Sequence, residues 1–420
     1  MKILITAEHA SSAFGGEALI PYQYFRCLRE LGVDVHLLVH ERTKRELCSA
    51  FPNDIERLHF VEDSLVNIWC NAIGKLMPDR IAVFTLGSIS HFATQIRQRR
   101  IARTLIPTYG FAIVHEPIPV SPKLPSMMFG FSVPVIIGPM NGGMDYPPHF
   151  DLAGRVERAI VAILRLSSAL WNVIVPGKRY AALLLVANKR TYDALPFNIR
   201  RKRFLEFADN GVDVSRFRGD PSPTSQKTLR IIYIGRLVDW KRVDLLISAC
   251  RRLIGYVNFR VHIVGHGPLY GALQQQVQQM LLASYVQFHG WLPQATAADL
   301  LRNSDVLVLP SMRECGGAVV LEAMATGIPV IATKWGGPAE YIAPETGILI
   351  PPETPEQFVG ELANAILWMA KNSEARVKMG HAGRQRVQAL YSWELKAKAL
   401  LKIYKDVVSA ELGNDHPEVP

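Results

Sequence analysis

The stretch "PSMRECGGAVVLEAMATGIPVIA" (310–332) sets two carboxylates, Glu314 and Glu322, eight positions apart around Gly316 and Gly317. "VLVLP" (306–310) reads as a buried strand, "SMREC" as its exit loop, and 316–327 as a helix that starts at the glycines and ends at Gly327. A helix N-terminus offers free N–H groups and positive partial charge, which suits phosphate. Adjacent glycines let a ligand approach the backbone. Carboxylates do the opposite work: they accept hydrogen bonds from hydroxyls. A ligand with sugar hydroxyls on either side of a diphosphate, such as a nucleotide sugar, satisfies both. An ordinary strand–helix turn with an acidic start and a capping glycine has the same local look, so the segment does not decide alone. "YIGRLVDWKRVDLLI" (233–247) adds Arg236 and Lys241 just after another strand. Two fixed cations there suit a departing diphosphate, whose charge grows as the sugar bond breaks.

The elements that must position these residues are strands alternating with helices. In the first half, 2–6, 33–39, 111–117, 133–139 and 182–188 read as strands, and 17–32 as a helix ending at Gly32. The stretch 64–105 leans helical. The polar, Pro- and Ser-rich "SRFRGDPSPTSQKT" (215–228) has linker composition. The rhythm then restarts, with strands at 230–236, 259–265, 286–291, 305–310 and 328–333, and helices at 241–253 and 269–281. This predicts two doubly wound α/β domains, 1–215 and 229–391, and an amphipathic final helix, 392–412. Ligands of such sheets bind outside the carboxyl ends of the strands, so a cleft between the two domains is the expected site.

A chain of 420 residues, 49% hydrophobic and 20% charged, suits two globular domains and not disorder. Five scattered cysteines without a CxxC pair argue against a disulfide framework or a zinc site. "MKILITAEHASS" is too polar for a leader peptide, and no stretch reaches the ~20 apolar residues of a spanning helix. The cytoplasm, or the inner face of its membrane, is the expected location. The net charge of +10 is concentrated in the first half, with clusters "RQRRIAR" (97–103) and "NIRRKRF" (198–204). Solvated faces explain such runs, as does attraction to anionic lipid or a phosphate-bearing acceptor. Without interleaved aromatics they do not suggest nucleic acid.

In order, "GRL…K", "IVGHGP", "FHGW", the Glu314–Glu322 segment with "EAMATGIPVIAT", and "GGPAEYI" resemble the retaining glycosyltransferases of family 4, glycosyl transferases group 1, with the GT-B fold. "NGVD" (210–213) and "YSWE" (391–394) resemble them too. The resemblance spans the second domain and is looser over 1–210. It implies two Rossmann-like domains facing each other across a cleft, with the last helix returning to the first. It implies that Glu322 holds ribose hydroxyls, Glu314 faces the transferred sugar, and the amides of Gly316, Gly317 and Ala318 hold the donor. Arg236 and Lys241 would bind the diphosphate. Gly15 and Gly16 of "SSAFGGEAL" match a glycine loop that closes over it, and His115 of "IVHEP" matches a histidine near the reacting sugar. Cys315 stands where a small residue is usual, and Arg242 where glycine is frequent. "GPMNGGMDYPP" (138–148) departs from the common pattern; Asn141, Gly142 and Gly143 either line the acceptor side or form a plain turn.

The expected reaction moves a hexose-type sugar from a UDP-, GDP- or ADP-sugar to a hydroxyl of a sugar, lipid-linked or small-molecule acceptor, in polysaccharide or glycolipid assembly. Configuration is retained, and neither metal nor cofactor takes part. The rivals are a sugar-nucleotide epimerase or hydrolase on the same fold, and a non-catalytic nucleotide-binding protein at a membrane. Among weaker candidates, His9 faces the cleft or has no role, His266 reads as a turn residue, and Trp291 as core more than as a base-stacking ring. "RVERAIVAILRLSSALWNVIV" (155–175) reads as core or interdomain packing, with shallow membrane contact as the alternative.

Overall fold

The computed structural model describes the chain except for residues 14–15, 75–85, 151–166, 201–202, 218–227 and 415–420. The chain forms two compact units: one comprises Met1–Gly143, Gly154–Asp209 and Lys396–Pro420, the other Met144–Ala153 and Asn210–Leu395.

The first unit is built on seven parallel strands: β1 (Lys2–Thr6), β2 (Asp34–His40), β3 (Leu58–Val61), β4 (Ile113–Glu116), β5 (Val135–Met140), β6 (Leu183–Val186) and β7 (Phe204–Glu206). Their order is β3-β2-β1-β4-β5-β6-β7. Ile3, Leu4 and Ile5 of β1 are fully buried, as a parallel strand covered on both faces must be. Helices Leu19–Glu30 and Ser88–Tyr109 are among the connections. The ambiguous 64–105 region gives helix Leu65–Gly74 and the start of Ser88–Tyr109. From Lys396 onward the last helix, Trp393–Asn414, belongs to this unit, where Tyr404 is fully buried.

The second unit repeats the plan with six parallel strands: β8 (Thr228–Ile234), β9 (Asn258–Val264), β10 (Val286–Gly290), β11 (Val306–Leu309), β12 (Val330–Thr333) and β13 (Gly347–Ile350). Their order is β10-β9-β8-β11-β12-β13. Its core draws on both faces of β8 and β11 and on helices Val243–Arg251, Ala318–Thr326 and Pro355–Lys371. Gly265 shows how tightly the loops after β8 and β9 approach. Its φ is +139°, and a Cβ there would lie 1.9 Å from the Gly235 carbonyl oxygen, so only glycine fits.

The units differ from the expected domains in two places. Met144–Ala153 and residues 210–215, both expected in the first domain, cluster with the second unit. The Asp145 carbonyl accepts from the Trp335 indole at 2.9 Å, Tyr146 lies under Arg313, and Phe150 meets Phe358 edge-on at 6.0 Å. Most of the expected linker falls outside the described residues.

Candidate active site

In the second unit the chain order reverses between β8 and β11, and a crevice opens at the carboxyl ends of such a strand pair. Arg236 and Lys241 follow β8; Glu314 follows β11. Lys241 ends the single 3-10 turn Asp239–Lys241, and its ammonium contacts the Glu314 carboxylate. The two side chains keep only 16% and 15% exposure, so the pair is sheltered from water without being sealed from a ligand. Arg242, at the position where the family pattern has glycine, takes the left-handed backbone with φ 48°. An ion pair with Asp244 at 2.8 Å and a place over the Phe150 ring, 5.4 Å away, hold it there. Arg236 is exposed, and among the described residues no carboxylate pairs with it. Its carbonyl accepts from the buried Tyr233 hydroxyl at 3.0 Å.

Gly317, with φ 79°, turns the chain from the Glu314 loop into helix Ala318–Thr326, whose first N–H groups lack partners inside the helix. The Gly337 amide donates to the Glu314 carbonyl at 2.9 Å, and a Cβ on Gly336 would lie 2.4 Å from that same oxygen. Gly336 and Gly337 therefore fix the backbone that carries Glu314, a role the "GGPAEYI" motif signals only through its glycines. Glu322 lies on the helix, and burial pushes its carboxyl up to about 7. A hydrogen bond with the Gln294 side chain and the charge of Arg216 pull the other way. The structure brings Lys241 and Glu314 into contact beside the start of helix Ala318–Thr326, while Arg236 is exposed after β8 and Glu322 bonds to Gln294.

In the first unit, Gly16 is exposed with φ 56° and opens the 3-10 turn Gly16–Ala18; Gly15 lies outside the described residues. The loop leading to it closes on Glu46, which no motif singles out. Its carboxylate accepts from the Ser12 and Ala13 amides at 2.7 and 3.2 Å, and from the Ser11 and Ser12 hydroxyls at 2.6 and 2.9 Å. Successive loop amides around one oxyanion form an anion-binding concavity.

Two expectations meet a different environment. His115 is fully buried on β4, with Nε2 2.6 Å from the Gly138 carbonyl oxygen and Nδ1 2.6 Å from the Tyr404 hydroxyl. Burial lowers its pKa to about 4, so the ring is neutral: Nε2–H donates and Nδ1 accepts. Both nitrogens are spent inside the core, on the Gly138 carbonyl and the Tyr404 hydroxyl. Asn141 is also buried, its amide donating to Asp209 at 2.9 Å and accepting from Arg190 at 3.2 Å. A Cβ on Gly142 would lie 2.6 Å from the Pro122 ring, and one on Gly143 2.5 Å from the Ala194 methyl. These residues form a close-packed turn. Of the weaker candidates, Trp291 is exposed and is not a core residue. His266 lies against the Tyr270 ring at 5.1 Å, and His9 is half-buried with its pKa lowered by burial.

Residues 219–386 match the family described as "Glycosyl transferases group 1". A D-inositol 3-phosphate glycosyltransferase of Saccharomonospora viridis is 30% identical over 242 residues, covering 53% of this chain and 54% of that protein. The chain thus spans about half the length of that curated relative. Sucrose-phosphate synthase from Thermosynechococcus elongatus has a similar structure, with TM-score 0.69 and 20% identity over 98% of this chain and all of that one. Anabaena HepE in complex with UDP is also similar, with TM-score 0.65 and 16% identity over 97% of this chain and all of that one. At such identities the structural likeness speaks to the fold, a two-domain Rossmann-like GT-B arrangement.

Proposed function

We propose that this chain, whose residues 219–386 belong to the glycosyl transferases group 1 family, moves a hexose-type sugar from a nucleoside-diphosphate sugar to an acceptor hydroxyl with retention of configuration. The observation that carries this reading is the Lys241–Glu314 contact at the β8–β11 edge, beside the helix start at Gly317. A cation, a carboxylate able to accept from hydroxyls and helix amides side by side support binding of a glycosyl diphosphate. The UDP bound to Anabaena HepE supports a nucleotide ligand.

In this reading the glycosidic C–O bond breaks with its electron pair passing to the diphosphate oxygen. Lys241, Arg236 and the amides of Gly316, Gly317 and Ala318 meet the charge that develops there. The acceptor oxygen bonds to the same face of the sugar carbon, and its proton goes to the departing phosphate. Glu314 holds sugar hydroxyls, and Glu322 holds those of the ribose. His115 acts as a positioning residue through Gly138 and does not touch the sugar.

The test is turnover with UDP-, GDP- and ADP-sugars, each with and without a panel of free and lipid-linked sugars. Nucleotide release from one donor class, dependent on acceptor, with an unchanged anomeric coupling in the product, is the expected result. Equal donor consumption without acceptor would sink the transfer reading.

A further inference from the structure

Two helical segments of the first unit are built inside out. In Leu65–Gly74 the polar Asn67 is fully buried, its amide donating to the Ser90 carbonyl at 2.9 Å, the Ser90 hydroxyl at 2.8 Å and the Thr94 hydroxyl at 3.0 Å. Its apolar side chains point out: Leu65 is 78% exposed and Trp69 68%, with Ile68 exposed between them. The helical residues 167–174 repeat the pattern. Asn172 is fully buried, donating to the Lys123 and Ser168 carbonyls at 2.9 and 2.8 Å, while Leu170, Trp171 and Ile174 are exposed. A surface helix ordinarily buries its apolar stripe and wets its polar one. Two reversals in one unit leave several apolar side chains in water, which water alone does not stabilise.

The two segments are linked within the unit. The first is bonded to helix Ser88–Tyr109, on which Ile89 and Ile96 are also exposed. Arg99 of that helix sits over the Phe129 ring at 3.6 Å, and Phe129 lies 6.4 Å from the exposed Tyr180, just beyond the second segment. The sequence around these segments is mainly basic, although Glu62 and Asp63 lie just before Leu65. Between residues 88 and 131, Arg97, Arg99, Arg100, Arg103 and Lys123 face a single acid, the buried Glu116. Between 167 and 203 eight Lys and Arg, of which Lys178 is buried, stand against Asp193 alone. Exposed tryptophans and aliphatics on a basic unit are what an interfacial surface for anionic lipid requires. Among the described residues no helix is long and apolar enough to cross a membrane, so contact would be at the surface.

We infer that helix Leu65–Gly74 and residues 167–174 dock the first unit on an anionic bilayer. Both connect to the carboxyl edge of the sheet: one follows β3, and the other is tied to Lys123 in the segment after β4. Docking stands independently of the proposed transfer reaction; if both hold, the acceptor is lipid-borne.

The experiment is co-sedimentation of the full chain with phosphatidylcholine vesicles, with and without phosphatidylglycerol. The variants are Leu65→Ser/Trp69→Ser, Leu170→Ser/Trp171→Ser and Arg97→Glu/Arg100→Glu. All change exposed or half-exposed side chains, and nucleotide-induced thermal shifts, which should be unaltered, report separately on fold and donor site. Binding should need phosphatidylglycerol, weaken with salt, and fall roughly tenfold or more for each double serine variant. No binding to either vesicle, or binding indifferent to all three variants, overturns the inference. So does a dimer in light scattering that the serine variants convert to monomer, which assigns the surface to a second copy.

Discussion

Glu322→Gln probes the electrostatics of the donor site through the free protein and through its ligand. Burial raises the Glu322 carboxyl from 4.5 to about 7. Its folded pKa therefore lies above its unfolded one, and the folded state holds the extra proton between those values. Stability falls as pH rises through that window; the penalty is absent below about 4.5 and complete above about 7. A tenfold change in proton affinity is worth about 1.4 kcal/mol, so the net penalty, with the Gln294 bond and the Arg216 charge already counted in it, approaches about 3 kcal/mol. Glutamine carries no such penalty. In urea titrations the variant should match wild type near pH 4.5 and exceed it by about 2–3 kcal/mol near pH 8. Donor binding should run the other way. If ribose hydroxyls donate to the ionised carboxylate, wild-type affinity for the matching nucleotide rises about tenfold from pH 6 to pH 8, with uptake of ligand releasing a proton. Calorimetry in buffers of different ionisation enthalpy detects that proton. Parallel stability profiles for the two proteins, together with a pH-independent affinity, would show that the carboxyl is neither held protonated nor bound to the ligand.

Lys241→Met should lower turnover by about two to three orders of magnitude, with Lys241→Arg recovering part of it, because the departing diphosphate loses a fixed cation; an unchanged kcat contradicts that role. Gly265→Ala should destabilise by about 3 kcal/mol or more in urea, since its Cβ would meet the Gly235 carbonyl at 1.9 Å. Tyr404→Phe should cost about 1–3 kcal/mol by leaving His115 Nδ1 without its donor. The His115 ring protons should show no NMR titration between about pH 5.5 and 8, since burial lowers the pKa to about 4; a midpoint near 6.5 would mean the ring is open to water.

Central strands were legible in the sequence, and most edge strands were not. β1, β2, β4, β5 and β6, and β8 through β12, are apolar runs that stand out against the helices between them. The strands that apolar runs do not reveal, β3, β7 and β13, all lie at sheet edges. Phe204–Glu206 is three residues long and wholly exposed, so it carries neither burial nor period. The Glu314–Glu322 segment was readable because strand, glycine turn and helix follow one another in sequence. Glu46 was not, since it reaches Ser12 from 34 positions away. His115 fits its motif by residue type, but the burial that neutralises it depends on Tyr404, far along the chain. The outward tryptophans of 65–74 and 167–174 were hidden by the same rule that found the core: apolar periodicity does not say which face is inside.

Whether the β8–β11 edge holds a nucleotide sugar is decided by thermal unfolding of the full chain with UDP, GDP and ADP and their sugars, repeated on Glu322→Ala. A ligand at about 100 times its dissociation constant adds roughly 2.7 kcal/mol of stability. A rise with one nucleotide class, lost in the variant, is the expected result. A folded protein that no nucleotide stabilises, or a rise that survives in Glu322→Ala, would contradict the donor site described above.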